Sequence, residues 1–189
     1  MQQNGGGNRI NGLAELLTRS GANVAAPVEL WNPPYCGDIG LKIGGDGTWY
    51  YQDSPIRRMP LVKLFARVLR RDEDGRHYLV TPVEKVDVVV EDAPFLAVEM
   101  ECRGAGADQT LLFRTNVDDI VACGPDRPLR FGYDVQNGGC KPYVTVRGRL
   151  EALVSRAVTY DLLALAEAFD ARDGTLGVWS GGEFFAIDA

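Results

Sequence analysis

Apolar residues follow two spacings in turn from about residue 40 onward, one typical of strands and one of a helix. Leu41 and Ile43 alternate with polar neighbours, as in a half-buried strand. Between Leu61 and Leu69 apolar residues recur at three- and four-residue intervals, which predicts an amphipathic helix. Strong strand formers elsewhere complete a strand–strand–helix–strand–strand unit. Its four strands are predicted at 41–43, 48–51, 78–80 and 86–90.

The same order of elements is predicted again between residues 143 and 187. Two strands precede a helix whose apolar face begins at Val158, and two strands follow it. Arg57 and Arg156 stand at matching places, shortly before each helix. An internal duplication that pairs 40–90 with 142–187 is the simplest explanation, although hairpins and amphipathic helices also recur by chance.

Two more strands are predicted between these copies, at 95–102 and 109–114, followed by a short helix capped by Asn116. The fold class is α+β, with two related units and mainly antiparallel sheets. The predicted domains are a tail with a short helix at 1–29, an α+β unit at 30–92 and a β-rich unit at 93–189.

Composition narrows the class of protein. Hydrophobic residues make up 46% and charged residues 24%, which is typical of a globular chain with a real core. No apolar run could span a membrane, no secretory signal is visible, and a cytoplasmic location is expected. The net charge of −6 argues against a general nucleic-acid binder. Four scattered cysteines predict reduced thiols and no metal site.

Known catalytic patterns are absent from the sequence, so an enzyme is the less favoured class and no catalytic residue, metal or cofactor is predicted. His77 is the one histidine, and its place after a charged turn is more typical of an exposed residue than of a base. Gly104 and Gly106 lie between two strands, whereas a dinucleotide-binding loop leads from a strand into a helix. Two pairs of carboxylates fit a solvated strand face and a helix first turn better than a hydrolase centre: Glu99 with Glu101, and Asp118 with Asp119.

Several motifs resemble a bacterial family known as domain of unknown function twelve eighty-five. The resemblance covers roughly residues 30–187. It implies a two-part fold with repeated motifs, a C-terminal part superficially like pleckstrin-homology folds, a nucleotide-like ligand between the parts and a role in signalling. It implies no catalytic residue. The motifs are DGTWYY at 46–51, SPI at 54–56, PLVKLF at 60–65, LVTPVEK at 79–85, TNVDD at 115–119 and PYVTVRG at 142–148.

Basic residues are the strongest chemical signal. Six of them fall between Arg57 and Arg71 with no acidic residue among them. Arginine side chains in connectors suit phosphate or carboxylate groups. Arg67 and Arg70 are more typical of a solvated helix face, and the aromatic residues Trp49, Tyr51 and Trp179 of a core. The predicted ligand-binding residues are Arg58, Lys63, Arg147 and Arg156, with Trp49 or Tyr51 stacking on a flat group.

The leading hypothesis is therefore a cytosolic protein that binds an anionic, nucleotide-like small molecule between its two parts in a signalling or regulatory role. Two alternatives stay open. One is a protein-interaction module that binds a signalling partner without a small molecule, and the other is an enzyme acting on a nucleotide-like substrate.

Overall fold

The computed structural model describes residues 10–15, 26–168 and 174–187, of which 10–15 are helical. Contacts divide the chain into two compact units, Met1–Asp92 and Ala93–Ala189. Of the short helix predicted within residues 1–29, only the part at 10–15 lies within the described residues.

The first unit is built on one six-stranded sheet with a helix inserted between the third and fourth strands. The sheet order is β3-β2-β1-β6-β5-β4, in which β1 and β6 run parallel and all other neighbours run antiparallel. The elements are β1 Leu41–Ile43, β2 Trp49–Tyr51, β3 Ser54–Pro55, α1 Met59–Arg67, β4 Leu69–Arg71, β5 His77–Val80 and β6 Lys85–Val90.

The second unit has another six-stranded sheet, followed by a helix and a separate hairpin. Its order is β10-β11-β12-β7-β8-β9, with β12 and β7 parallel and the other neighbours antiparallel. The elements are β7 Phe95–Arg103, β8 Thr110–Thr115, β9 Ile120–Ala122, β10 Leu129–Tyr133, β11 Cys140–Arg147, β12 Leu150–Val154, α2 Arg156–Ala168, β13 Gly177–Ser180 and β14 Glu183–Ala186.

The two sheets have the same topology. In each, the first and sixth strands in chain order pair in parallel at the centre, and the remaining strands extend outward as two antiparallel meanders. The prediction of an α+β fold with two related, mainly antiparallel units is confirmed. The predicted pairing of segments is wrong, because 41–90 corresponds to 95–154 and not to 142–187.

The predicted correspondence between the two segments was wrong because a hairpin followed by an amphipathic helix is a local pattern, whereas strand order depends on contacts between distant residues. In the second unit, β13 and β14 form a two-stranded sheet of their own. Helix α1 follows the third strand of its unit and α2 follows the sixth. Neither Arg57 nor Arg58 therefore occupies a position equivalent to that of Arg156.

Helix α1 ends earlier than its apolar pattern predicts. Val62, Phe65 and Ala66 face the core, and Val68 closes the last turn by donating its amide to the Phe65 carbonyl. Leu69, which continues the helical spacing, instead begins β4 and pairs with Leu79 of β5. Leu69 is part of a strand and not of the helix because its pairing with β5 outweighs the local helical spacing.

A tight turn replaces the helix predicted at Asn116. The Thr115 hydroxyl accepts the amide of Asp119, and the Asn116 side chain accepts the amide of Leu96 on β7. Asp118 has a positive φ of 67°, which ends any helical continuation. The turn fixes the direction of two carboxylates, Asp118 and Asp119.

Candidate functional site

Two adjacent arginines, Arg57 and Arg58, lie at the start of α1. Both are exposed, and neither side chain makes an ion pair or hydrogen bond within the described residues. Arg58 is the residue before the helix, and its carbonyl accepts the amides of Leu61 and Val62. Their guanidinium groups are thus open to solvent at the positive end of the helix dipole.

The first turn of α1 adds no negative charge to this position. It contains Pro60 near its start, no acidic residue, and no side chain that caps the amides. Lys63 follows in the next turn, half-buried and engaged with other groups. Proline is common here because its missing N–H would have no partner in the helix. We call Arg57, Arg58 and the first turn of α1 the arginine corner.

The predicted stacking residues of the first unit have different surroundings. Trp49 is 1% exposed and packs on Phe65 of α1, with ring centroids 6.1 Å apart. The core location favoured by the sequence is therefore the one observed, and we leave Trp49 out of the proposed site. Its indole N–H has no partner among the described residues. Tyr51 is half-buried and makes contacts of its own.

Arg70 does not belong to a solvated helix face, contrary to the sequence-based expectation. It lies on β4 and is buried. Its Nε donates to Asp72 at 2.5 Å, and its Nη1 donates to the carbonyls of Val28 at 2.6 Å and Trp31 at 2.8 Å. Lys85 reaches the same carboxylate at 3.1 Å. Burial of Asp72 disfavours its charge, but Arg70 and Lys85 outweigh this and hold its pKa below the usual value.

A buried carboxylate, Asp87, lies on the same face of the sheet as Arg70. The register pairs Arg70 with Tyr78 and Tyr78 with Asp87, so the three residues form one row across β4, β5 and β6. Asp87 accepts the Tyr35 hydroxyl and pairs with Arg76 at 2.6 Å. Burial, followed by the hydrogen bond to Asp74, raises the pKa of Tyr78 to about 12.

Sequence reasoning missed this row of polar residues, although one signal was present. Asp87 interrupts the apolar run from Val86 to Val90, and a carboxylate in such a run requires a partner on its own face. Which residue supplies the partner depends on the register between strands, which the local pattern does not reveal.

Arg147, a predicted ligand-binding residue, lies in the second unit at the end of β11. It donates to Asp119 at 3.2 Å, and its guanidinium lies 5.3 Å from the centre of the Phe95 ring. Its side chain is 31% exposed. Burial lowers the pKa of Arg147, and this effect exceeds the opposing influence of Asp119. The TNVDD turn thus serves to position a carboxylate against a partly buried arginine.

Arg156, the other predicted residue of the second unit, is the exposed first residue of α2. Its Nε and Nη2 both donate to the Tyr160 hydroxyl at 3.3 Å, one helical turn later. The carboxylates Glu99 and Glu101 lie on a solvated strand face, as the sequence indicates, where they pair with Arg114 and Arg103. Within the second unit, each of these arginines therefore has a neighbour of its own.

Two family models together match residues 26–187. The N-terminal domain of a domain of unknown function, DUF1285, matches 26–93, and the C-terminal domain of the protein of unknown function, DUF1285, matches 94–187. The chain belongs to the DUF1285 family. The family descriptions state no activity.

Two solved structures of DUF1285 proteins resemble this chain. One, from Silicibacter pomeroyi DSS-3, is 46% identical, with a TM-score of 0.81 over 90% of this chain and 93% of that one. The other, from Shewanella baltica OS155, is 26% identical, with a TM-score of 0.53 over 67% of this chain and 92% of that one. The comparison with curated proteins gives no match.

Net charge is distributed unevenly over this DUF1285 chain. Residues 1–92 contain 11 basic and 12 acidic residues, whereas 93–189 contain 9 and 14. The first unit is thus nearly neutral, and the second carries most of the negative charge. Within the first unit, the arginine corner is a local concentration of positive charge.

Other kinds of site receive no support from the described residues. No three acidic, histidine or cysteine side chains converge there as a metal site would require. The four cysteines are free thiols, with Cys123 buried and Cys36 exposed. None of the helices in the described part of the chain has the length and apolarity needed to span a bilayer.

His77 is half-buried at the start of β5 rather than exposed, and its titration can be predicted. Burial, aided by the positive charge of Arg71, lowers its pKa from 6.5 to about 4. The unfolded ring takes up a proton near pH 6.5, so stability should decrease as pH falls from about 6.5 towards 4. NMR of this single imidazole should give a midpoint near pH 4 in the folded protein. A midpoint above pH 6 would contradict the burial.

Proposed function

We propose that this DUF1285 protein binds a small anionic, phosphate-bearing ligand of the nucleotide class and acts as a regulatory or signalling protein. The observation that supports the proposal is the arginine corner. There, two exposed arginines without ion-pair partners in the described residues stand at the start of a helix.

The chemistry of the arginine corner suits a phosphate group. A guanidinium offers several N–H donors in a fixed plane, and pairs with phosphate through two parallel hydrogen bonds. Arg57 and Arg58 are adjacent in the chain, so an anion bound beside them would be attracted by two positive charges. The positive end of the α1 dipole, which lies at the start of the helix, also favours an anion there.

Other arginines of the chain form ion pairs with carboxylates. Arg114 pairs with Glu99 at 2.6 Å, and Arg130 pairs with Glu151 at 2.6 Å. In a chain with a net charge of −6, carboxylates are plentiful. Two neighbouring arginines that remain unpaired under those conditions support a role in binding an anion from solution.

A thermal-shift screen tests the proposal. The probes are ATP, GMP, a cyclic mononucleotide and pyrophosphate. A ligand that binds only the folded state, at a hundredfold excess over its dissociation constant, should stabilise the protein by about 2.7 kcal/mol. The double variant Arg57→Gln/Arg58→Gln should weaken binding at least about tenfold, because the charge-assisted hydrogen bonds are lost.

Arg103→Gln is the matched control, since it removes an exposed arginine that already pairs with Glu101 in the second unit. It should leave the shift unchanged. Arg147→Gln and Arg156→Gln test the wider site predicted from the sequence. An unchanged shift in the double variant would contradict the arginine corner as the site. A shift from none of the anions would favour the protein-interaction module.

A further inference from the structure

Residues 28–37 cross one face of the first sheet before β1 begins, and we call this segment the strap. It starts beside β4, with a single 3₁₀ turn at Val28–Leu30. It ends beside β6, where the Cys36 amide donates to the Lys85 carbonyl and the Asp87 amide donates to the Gly37 carbonyl. Since β5 lies between β4 and β6, the strap passes over β5.

The strap is attached by polar contacts at both ends. At its start, the buried Arg70 side chain donates to the carbonyls of Val28 and Trp31. At its far end, the Tyr35 hydroxyl donates to Asp87, and the Tyr35 ring meets the Tyr78 ring edge to face at 6.3 Å.

Few apolar contacts reinforce these attachments. Val28 is the one buried residue between 26 and 38, all of which are described, while Leu30 is 83% and Tyr35 54% exposed. The surface near the strap is itself polar, with the ion pairs of Asp72 and Asp87. Lifting the strap would therefore expose mainly polar groups together with Val28 and the Tyr78 ring, and segments with few buried apolar contacts open at low free energy.

We propose that the strap opens and closes as a local unit without unfolding of the sheet, and that opening uncovers the polar row of Arg70, Tyr78 and Asp87 with the neighbouring Asp72 and Lys85. The strap is thus a conformational device that controls access to a face rich in charge. This proposal is independent of the arginine corner.

Native-state amide hydrogen exchange of the full chain tests the strap directly. The reporters are the amides of Cys36 and Asp87, which form the hydrogen bonds between the strap and β6. The reference is the Val80 amide, which donates to the Val68 carbonyl in the buried part of the sheet. In the wild-type protein, the reporters should exchange at least tenfold faster than Val80. Equal rates would overturn the proposal, because the strap would then open only when the whole unit unfolds.

Tyr35→Phe provides the second arm, since it deletes only the hydroxyl that reaches Asp87. Exchange at the reporters should increase about tenfold further, with Val80 unchanged. Tyr160→Phe is the control, because it removes a tyrosine hydroxyl bound to an arginine on α2, and it should leave the reporters unaffected. Equal acceleration of Val80 and the reporters in Tyr35→Phe would also overturn local opening.

Discussion

Replacing Asp72 by alanine should lower the free energy of unfolding by about 3 kcal/mol. The change leaves the Arg70 guanidinium buried without the carboxylate that it contacts through Nε and Nη2, and it also removes the partner of Lys85. A buried charge without its counter-ion is costly because water cannot replace the lost contact. Urea unfolding at pH 7 measures the difference.

The same urea unfolding experiment, repeated at acid pH, gives an independent check. The pKa of Asp72 is depressed in the folded protein, so its stabilising effect is present at neutral pH and is lost as pH falls below about 4. The difference in the free energy of unfolding between the wild type and Asp72→Ala should therefore become smaller at acid pH. Glu101→Ala breaks an exposed pair whose partners are 61% and 66% exposed, and should cost less than about 1 kcal/mol. Similar losses in both variants would contradict the role of Asp72 as the counter-ion of the buried Arg70.

Replacing Ser180 by alanine should cost about 2 kcal/mol, although it removes a single oxygen atom. Ser180 is fully buried, and its hydroxyl donates to the Cys123 carbonyl at 2.8 Å and accepts the Leu111 amide at 2.9 Å. Alanine leaves a buried donor and a buried acceptor unsatisfied. The hydroxyl also connects the β13–β14 hairpin to β8 and to the residue that follows β9, so the loss should appear as a lower Tm.

The exposed Ser54 on β3 serves as the control, because water can satisfy whatever its hydroxyl contacts. Ser54→Ala should change the free energy of unfolding by less than about 0.5 kcal/mol. A neutral Ser180→Ala would mean that the hairpin does not depend on this hydroxyl. In that case the buried Gln109, which donates to the Trp179 carbonyl at 2.8 Å, would be the main polar attachment.

Local patterns in the sequence predicted the positions of the longer elements well. The predicted strand at 86–90 corresponds to Lys85–Val90, and the helix that starts near residue 61 corresponds to Met59–Arg67. Short edge strands escaped prediction, because β4 and β9 have only three residues each and form by pairing with a longer strand.

Side-chain roles were harder to predict than elements, because they depend on register and burial. Arg58 and Arg70 both appeared as members of one basic cluster, yet one is exposed before a helix and the other is buried on a strand. The difference arises from the end of α1 at Arg67, which moves Arg70 from a helix face to the sheet. Spacing on a helix therefore misplaces every residue beyond its true end.

An NMR titration of the labelled protein with pyrophosphate, repeated with ATP, tests most directly whether the arginine corner binds an anion. The largest changes should appear at the side-chain Nε–H groups of Arg57 and Arg58 and at the amides of residues 58, 59, 61 and 62, with saturation that weakens as salt is added. Changes centred on the second unit, or no saturable change with either anion, would contradict the proposed binding function.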